Sequence, residues 1–285
     1  MPHDYKIAAP QSIALSNYDP NDTGGMERGV ADAQIPTLQQ RLARLQELLF
    51  AAQRQSVLVI LQGMDTAGKD STVKHVMSGI NPLGCMAYSF KVPTPEEASH
   101  DFLWRVHRRA PARGMMAIFN RSHYEDVLVA RVHNLVPPGV WRKRYAQINH
   151  FEHMLAQNDT IILKFFLHIS KEEQKRRLLD RERDKDKAWK LSAADWIERQ
   201  YWDAYIPAYE DALGRCAAEW APWNVIPANK KWYRNYIVAR TIVEHLETHE
   251  REWVGELEER GRQELPAVRA ARAREEAPAT SGQAQ

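Results

Sequence analysis

The sequence predicts an α/β fold, a parallel sheet covered by helices on both faces. Three observations carry this expectation. Apolar runs at 57–62, 86–92, 114–119, 160–169 and 223–227 have the length of strands buried on both faces, and the first is rich in β-branched residues. Between them apolar residues recur at helical spacing, so strand and helix alternate as in a parallel sheet with crossover helices. The first run also feeds directly into Gly63-Met64-Asp65-Thr66-Ala67-Gly68-Lys69, and Val73, Val76, Met77 and Ile80 then follow at i, i+3, i+4 and i+7 on one helical face.

Taken in order, residues 1–34 scatter Pro, Gly, Asn and Asp and read as an extended arm over the surface. From Thr37, a stripe of Leu38, Leu42, Leu45 and Leu49 predicts a helix ahead of the first strand. After the glycine loop and its helix, Asn81-Pro82-Leu83-Gly84 is a stop signal. Thr94 and Glu97 form a capping box for a helix carrying Phe102, Leu103 and Val106 beside Arg105, Arg108 and Arg109. A helix from near Val140 presents Trp141, Tyr145, Ile148, Phe151 and Leu155. Ser170 and Glu173 make a second capping box, opening a densely charged helix. Ser192 and Asp195 open a long helix with Ile197, Tyr201, Ala204, Tyr205 and Ala208 on one face and a bend at Pro207. Trp232, Tyr236, Ala239, Val243 and Leu246 mark a last amphipathic helix, and 266–285 reads as a frayed tail. With no internal repeat and no linker, 35–265 is expected to be one domain.

Composition narrows the classes. Of 285 residues, 44% are apolar and 27% charged, enough for a substantial core. A formal charge of +2 gives no global case for a nucleic-acid partner. Cys85 and Cys216 are the only cysteines, which argues against a disulfide framework and suits a reducing compartment. The N-terminus lacks a basic segment followed by an apolar core, and no apolar run approaches the roughly 20 residues of a membrane span. A cytoplasmic chain away from the membrane is the expectation.

In a parallel α/β sheet, ligands lie at the strand C-terminal ends. Two motifs sit there, 63–69 and 120–126. The glycines of the first let backbone N–H groups point inward around phosphate oxygens, the helix N-terminus adds partial positive charge, and Lys69 adds a full one. The alternative is a tight turn with an exposed lysine. Two residues depart from the usual loop. Asp70 stands where Ser or Thr would help hold Mg²⁺, although Ser71 follows, and Asp65 places an acid where phosphates must come. Asp65 implies either a Mg²⁺ between it and the phosphates or proton or orientation work on an attacking group. In the second motif, Asn120 is a neutral ligand where an acid often helps hold Mg²⁺, with Glu125 and Asp126 following. Arg121 can fork onto phosphate oxygens, or pair with Glu125 at i, i+4. The stretch 171–190 carries nine Lys/Arg against six Asp/Glu, including Arg176, Arg177, Arg181 and Arg183 just after a strand end. It reads as a solvated helix or as an arginine-bearing lid. His150 and His153 have no cysteine or third histidine nearby to complete a zinc set.

The combination of Gly63-Met64-Asp65-Thr66-Ala67-Gly68-Lys69-Asp70, His75-Val76-Met77-Ser78-Gly79-Ile80-Asn81-Pro82 and Phe119-Asn120-Arg121-Ser122-His123-Tyr124-Glu125-Asp126 resembles the family 2 polyphosphate kinases over roughly 35–250. The resemblance implies a thymidylate-kinase-like P-loop fold with a helical lid at about 171–190, and Mg²⁺-dependent phosphoryl transfer between inorganic polyphosphate and AMP, ADP or ATP. Asn120 with Glu125 and Asp126 resembles the subgroup that phosphorylates both AMP and ADP. A homo-oligomer without nucleic-acid or membrane partners is expected. On this reading Lys69 and Arg121 act on the transferring group, while Asp65 and Asp126 bind or position Mg²⁺. Gly63, Ala67, Gly68, Asp70, Ser71, Lys74, Asn120 and Arg131 line the phosphate track. Arg176, Arg177 and Arg181 close the lid, and Glu125 tunes the acceptor side. The alternatives are a nucleoside monophosphate kinase with a nucleoside triphosphate donor, against which Asp65 argues, and a non-catalytic polyanion or nucleic-acid binder.

Overall fold

The computed structural model describes residues 5–183 and 192–276. Its six strands are β1 (Lys6–Ile7), β2 (Ser56–Gln62), β3 (Cys85–Tyr88), β4 (Met116–Asn120), β5 (Thr160–His168) and β6 (Trp223–Pro227). They form one sheet in the order β1-β6-β5-β2-β4-β3, parallel throughout except for β1 on β6. All five expected strands are present. The second is shorter than its apolar run, ending at Tyr88, and lies at the sheet edge. β1 has only two residues, too few for any periodicity to reveal. Every residue of β2, β5 and β6 is buried, which requires helices on both faces.

The helices are α1 (Arg28–Ala52), α2 (Lys69–Val76), α3 (Pro95–Ala98), α4 (Trp104–His107), α5 (Val129–Val132), α6 (Pro138–Gln157), α7 (Lys171–Arg183), α8 (Ala193–Glu198), α9 (Trp202–Arg215) and α10 (Lys231–Glu276). α1 starts nine residues before the expected Thr37 and runs through Pro36. Pro36 and Asp32, whose carbonyl loses its donor, are both exposed, so water can replace the bond. α10 likewise continues through exposed Pro266 to Glu276, where a frayed tail was expected; Ala, Arg and Glu are strong helix formers. The rest of that tail, 277–285, lies outside the described residues.

The Thr94–Glu97 capping box is complete, with bonds of 3.2 and 2.9 Å. The helix it opens is nevertheless two short ones, because Asp101 accepts from the Leu103 N–H at 2.9 Å and starts a new turn. The second box forms by half. Ser170 Oγ accepts from the Glu173 N–H at 3.1 Å, but the Glu173 carboxylate turns to Arg176 and Arg177. The long helix expected from Ser192 is α8, a 3₁₀ turn at Arg199–Tyr201, and α9 with Pro207 inside it. Of the expected lid, 184–190 lies outside the described residues.

α1 and α10 lie along each other, closing Leu42, Leu45 and Leu49 against Leu246 and Trp253, with Arg41–Glu247 at 2.7 Å and Arg54–Glu252 at 2.6 Å on the rim. One apolar core extends from Ile7 to Trp253. Among the described residues, no helix is long and apolar enough to cross a membrane.

Candidate active site

Sheet register creates the site. Leu61 of β2 pairs with Asn120 of β4, so the chain leaves both strands at the same level and the two motifs meet. Gly63 turns sharply at φ 154°, and a Cβ there would lie 2.7 Å from the Leu167 carbonyl oxygen of β5.

For loop N–H groups to point inward, the carbonyls must point outward and find donors. Each carbonyl from Gly63 to Gly68 has a side-chain donor, and Met64 O also takes the Ala67 N–H at 3.0 Å. Lys69 Nζ donates to Gly63 O at 2.6 Å and Met64 O at 3.3 Å, and Gln174 Nε2 to Asp65 O at 3.2 Å. Arg177 Nη1 donates to Thr66 O at 2.9 Å and Ala67 O at 3.0 Å. Arg234 Nη1 shares Ala67 O at 3.0 Å, and Ser71 and Thr72 hydroxyls donate to Gly68 O at 2.9 and 3.0 Å. Thr66 holds φ 64°, left-handed backbone that a β-branched residue avoids. The loop is therefore braced from α7 and α10 as well as by its own helix.

The facing motif is anchored below by a buried network. Glu152 of α6 accepts from Lys164 at 2.6 Å and from the Tyr124 hydroxyl at 2.8 Å, and lies 3.0 Å from His123 Nε2; its side chain, like those of Lys164 and His123, is fully shielded from water. Burial pushes the Glu152 carboxyl upward, but Lys164 and His123 outweigh it and hold it below the ordinary range. Above this network, Arg121 Nη2 lies 2.8 Å from Asp65 Oδ1, and Asn120 Nδ2 donates to Asp70 Oδ1 at 2.7 Å.

Two cavities open on either side of this junction. The smaller, about 280 Å³, is walled by Met64, Glu125, His133, Trp202, Tyr205 and Tyr209. The larger, about 740 Å³, is lined by Ser71, Lys91, Arg177, Arg181, Lys231 and Arg234. Asp65, Lys69, Arg121 and Asp195 border both. One cavity offers aromatic surface and carboxylates, the other a surplus of cations. Such a pair suits two substrates that exchange a charged group across the shared wall.

Residues 25–253 match the sequence profile of the family described as Polyphosphate kinase 2 (PPK2). The chain belongs to the polyphosphate kinase 2 family. It is 51% identical over 245 residues to the AMP/ADP-polyphosphate phosphotransferase of Meiothermus ruber, covering 85% of this chain and 92% of that protein. It is 48% identical over 226 residues to the ADP-polyphosphate phosphotransferase of Rhodopseudomonas palustris, covering 75% and 78%. The crystal structure of Polyphosphate Kinase 2 from Arthrobacter aurescens TC1 superposes with a TM-score of 0.81 at 42% identity, covering 85% of this chain and 92% of that one. The fold is thus the P-loop kinase fold expected from the sequence.

At the junction, Asp65, Lys69, Arg121 and Glu125 come together, and Gly68, Asp70, Ser71, Asn120, Arg177 and Arg181 line the larger cavity. Several expectations need correction. Lys69 is not an exposed loop lysine: its residue is 9% exposed, and burial lowers its pKa despite the nearby Asp65. Asp126 lines neither cavity. Its backbone carbonyl and Oδ1 take Arg144 Nη1 at 2.9 and 3.2 Å, and Arg105 lies 3.6 Å from Oδ2. The 3₁₀ turn His123–Asp126 sends neighbouring acids to different partners: Glu125 to the cavity, Asp126 to arginines. Burial raises the pKa of both, against the pull of Arg121 and Lys69 on Glu125 and of Arg144 and Arg105 on Asp126.

Lys74 is exposed on α2 and lines neither cavity. Arg131 pairs with Asp211 at 2.6 Å and stacks over Trp141, away from the junction. Arg176 faces solvent, paired with Glu173 and Asp180. Arg177 is a buried brace rather than a free lid arginine. Arg181 does face the cavity, 2.8 Å from Asp195. Sequence reasoning missed Lys91, Asp195, Lys231 and Arg234, and the aromatic wall of Trp202, Tyr205 and Tyr209. For Lys231 and Arg234 the available signal was their position just after the last strand, where parallel sheets place ligand contacts.

Proposed function

We propose that this chain transfers phosphoryl groups from inorganic polyphosphate to AMP and ADP in the presence of Mg²⁺. The printed activities of its relatives support the substrates. The observation that carries the reading within this chain is the shared wall of Asp65, Lys69 and Arg121 between a cationic cavity and an aromatic one. Polyphosphate, a polyanion without a base, lies in the larger cavity. The nucleotide lies in the smaller, its base and ribose against Trp202, Tyr205 and Tyr209 and its phosphate directed at the wall. Lys69 and Arg121 then hold the transferring group in line between the two, where charge spreads over its oxygens.

The donors around the wall fit a Mg²⁺ ion in a limited way. Among the described residues no group of three or more His, Cys, Asp or Glu is placed to hold a metal. Asp65 and Glu125 border the smaller cavity together, and one or two carboxylates with substrate phosphates and waters is how Mg²⁺ is commonly held. Bound there, the ion would supply neutralisation of phosphate charge. Asp65 would hold it and Glu125 would sit on the acceptor side, while Asp126 faces Arg144 at 3.2 Å and Arg105 at 3.6 Å. The lid role expected of this stretch falls to Arg181, at the larger cavity and paired with Asp195, because Gln174 and Arg177 of α7 are bonded to the loop carbonyls.

A donor panel tests the reading. AMP is supplied with Mg²⁺ and either polyphosphate or a nucleoside triphosphate, and products are resolved. Faster turnover with polyphosphate supports it; turnover with the triphosphate alone replaces it with an ordinary nucleoside monophosphate kinase.

A further inference from the structure

The C-terminal helix α10 inserts an arginine beneath the glycine loop. Arg234 is 1% exposed and lies on the first turn of that helix. Its Nη1 donates to Ala67 O at 3.0 Å and its Nη2 to Ser71 Oγ at 2.9 Å. Asn235 Oδ1 takes Nε at 3.1 Å and Nη2 at 2.8 Å. All three of these partners are neutral. Arg177, which shares Ala67 O, has the Glu173 carboxylate at 2.7 Å. Burial and the adjacent Arg177 push Arg234 down to about 9.

A buried cation held only by neutral groups is unfavourable for stability alone. The fold nevertheless accommodates it closely. A Cβ at Gly68, which holds φ 101°, would lie 1.8 Å from Arg234 Nη1, so the glycine makes room for the guanidinium. Ser71 is committed too: its hydroxyl donates to Gly68 O at 2.9 Å while accepting from Arg234. Arg234 borders the larger cavity and not the smaller.

We infer that Arg234 is a positioning residue for the donor polyanion, fixing the Ala67 carbonyl and Ser71 so that the loop N–H groups face the donor, and lending its charge to that cavity from behind the loop. The inference rests on the larger cavity being the polyphosphate side. It also gives Ser71 a role other than metal ligand.

The test is initial-rate kinetics on wild-type protein, Arg234→Met and Arg234→Lys, varying polyphosphate at saturating ADP and the reverse, with thermal melting with and without polyphosphate. Arg234→Met is expected to raise the KM for polyphosphate about tenfold or more, the effect of losing a charged hydrogen-bonded contact. The KM for ADP stays within about twofold. The upward shift of Tm on adding polyphosphate shrinks, while the ligand-free Tm holds. Arg234→Lys keeps the charge without the fork and recovers part of the polyphosphate KM. Equal rises in both KM values, or a lower ligand-free Tm with both unchanged, would overturn the inference and make Arg234 a packing residue. If Arg234→Met does not fold, Arg234→Lys decides by the same ratio of the two KM changes. Wild-type protein that turns over no polyphosphate overturns the donor reading and the inference with it. An active wild type with an unchanged ratio in the variants overturns the inference alone.

Discussion

Arg121 Nη2 donates to Asp65 Oδ1 at 2.8 Å, so the cation after β4 and the acid inside the glycine loop form one unit. Each is partly open to solvent, at 42% and 23% of the side chain, which leaves both able to exchange their partner for a phosphate or a metal. An isolated acid in a phosphate site would repel its ligand; one paired with a guanidinium does so less.

Asp65 and Asp126 should therefore part company under mutation. Asp65→Asn is expected to lower kcat about a hundredfold or more and to raise the Mg²⁺ concentration needed for half-maximal rate. Asp126→Asn leaves Arg144 and Arg105 without their carboxylate. It should lower Tm, with a destabilisation of about 1–3 kcal/mol, and leave the Mg²⁺ dependence unchanged. Initial rates against Mg²⁺ together with melting curves check both; a shifted metal requirement in Asp126→Asn would return that residue to the metal site.

Lys69→Ala removes a charge and two carbonyl contacts together. The expected outcome is a loss of about a hundredfold or more in kcat, with a stability cost of about 1 kcal/mol from the freed Gly63 and Met64 carbonyls. Single-turnover rates and urea unfolding separate the two effects. Turnover near wild type in the folded variant would contradict the assignment.

Arg176 and Arg181 are five residues apart on α7, which turns them about 140° from each other around the helix, and they differ in surroundings. Arg176→Ala removes solvent-facing ion pairs on α7 and should leave kinetics within about twofold of wild type. Arg181→Ala should raise the KM for polyphosphate about tenfold, since Arg181 borders the larger cavity, proposed for the donor. Equal effects would mean that the arginines of α7 act as a diffuse charge.

The fold carries its own pH dependence at His168. This imidazole is 9% exposed, its Nε2 lies 3.1 Å from the Tyr18 carbonyl, and burial lowers its pKa to about 4. As pH falls from about 6.5 the unfolded chain takes up a proton that the folded chain refuses until about 4. Stability is thus full above about 6.5 and declines through that window by about 3 kcal/mol. Urea midpoints at pH 7.5 and 5 for wild type and His168→Gln measure the difference, which should shrink in the variant.

The parts legible in the sequence were those set by local spacing. Apolar runs located five strands, and the glycine loop followed by a helical stripe marked where the two motifs meet, because strand ends in a parallel sheet converge. What stayed hidden depends on contacts distant in sequence or on the phase of a single turn. The burial of Lys69, the brace of Arg177 and Arg234 and the two cavities arise only when α7 and α10 fold back onto the loop. Glu125 and Asp126 are adjacent, and only the 3₁₀ geometry of His123–Asp126 decides which faces the cavity. Pro266 reads as a boundary and Pro36 stands just before the expected helix start, yet both sit on exposed helical surface where water can replace the lost hydrogen bond.

The central claim, one site that passes phosphoryl groups from polyphosphate to either adenine nucleotide, is tested most directly by following products after AMP alone is mixed with polyphosphate, Mg²⁺ and the enzyme. The account predicts that ADP rises first and ATP follows as ADP is rephosphorylated, with both steps lost in Lys69→Ala. Absence of ADP under these conditions, or its formation only when a nucleoside triphosphate is added, would contradict it.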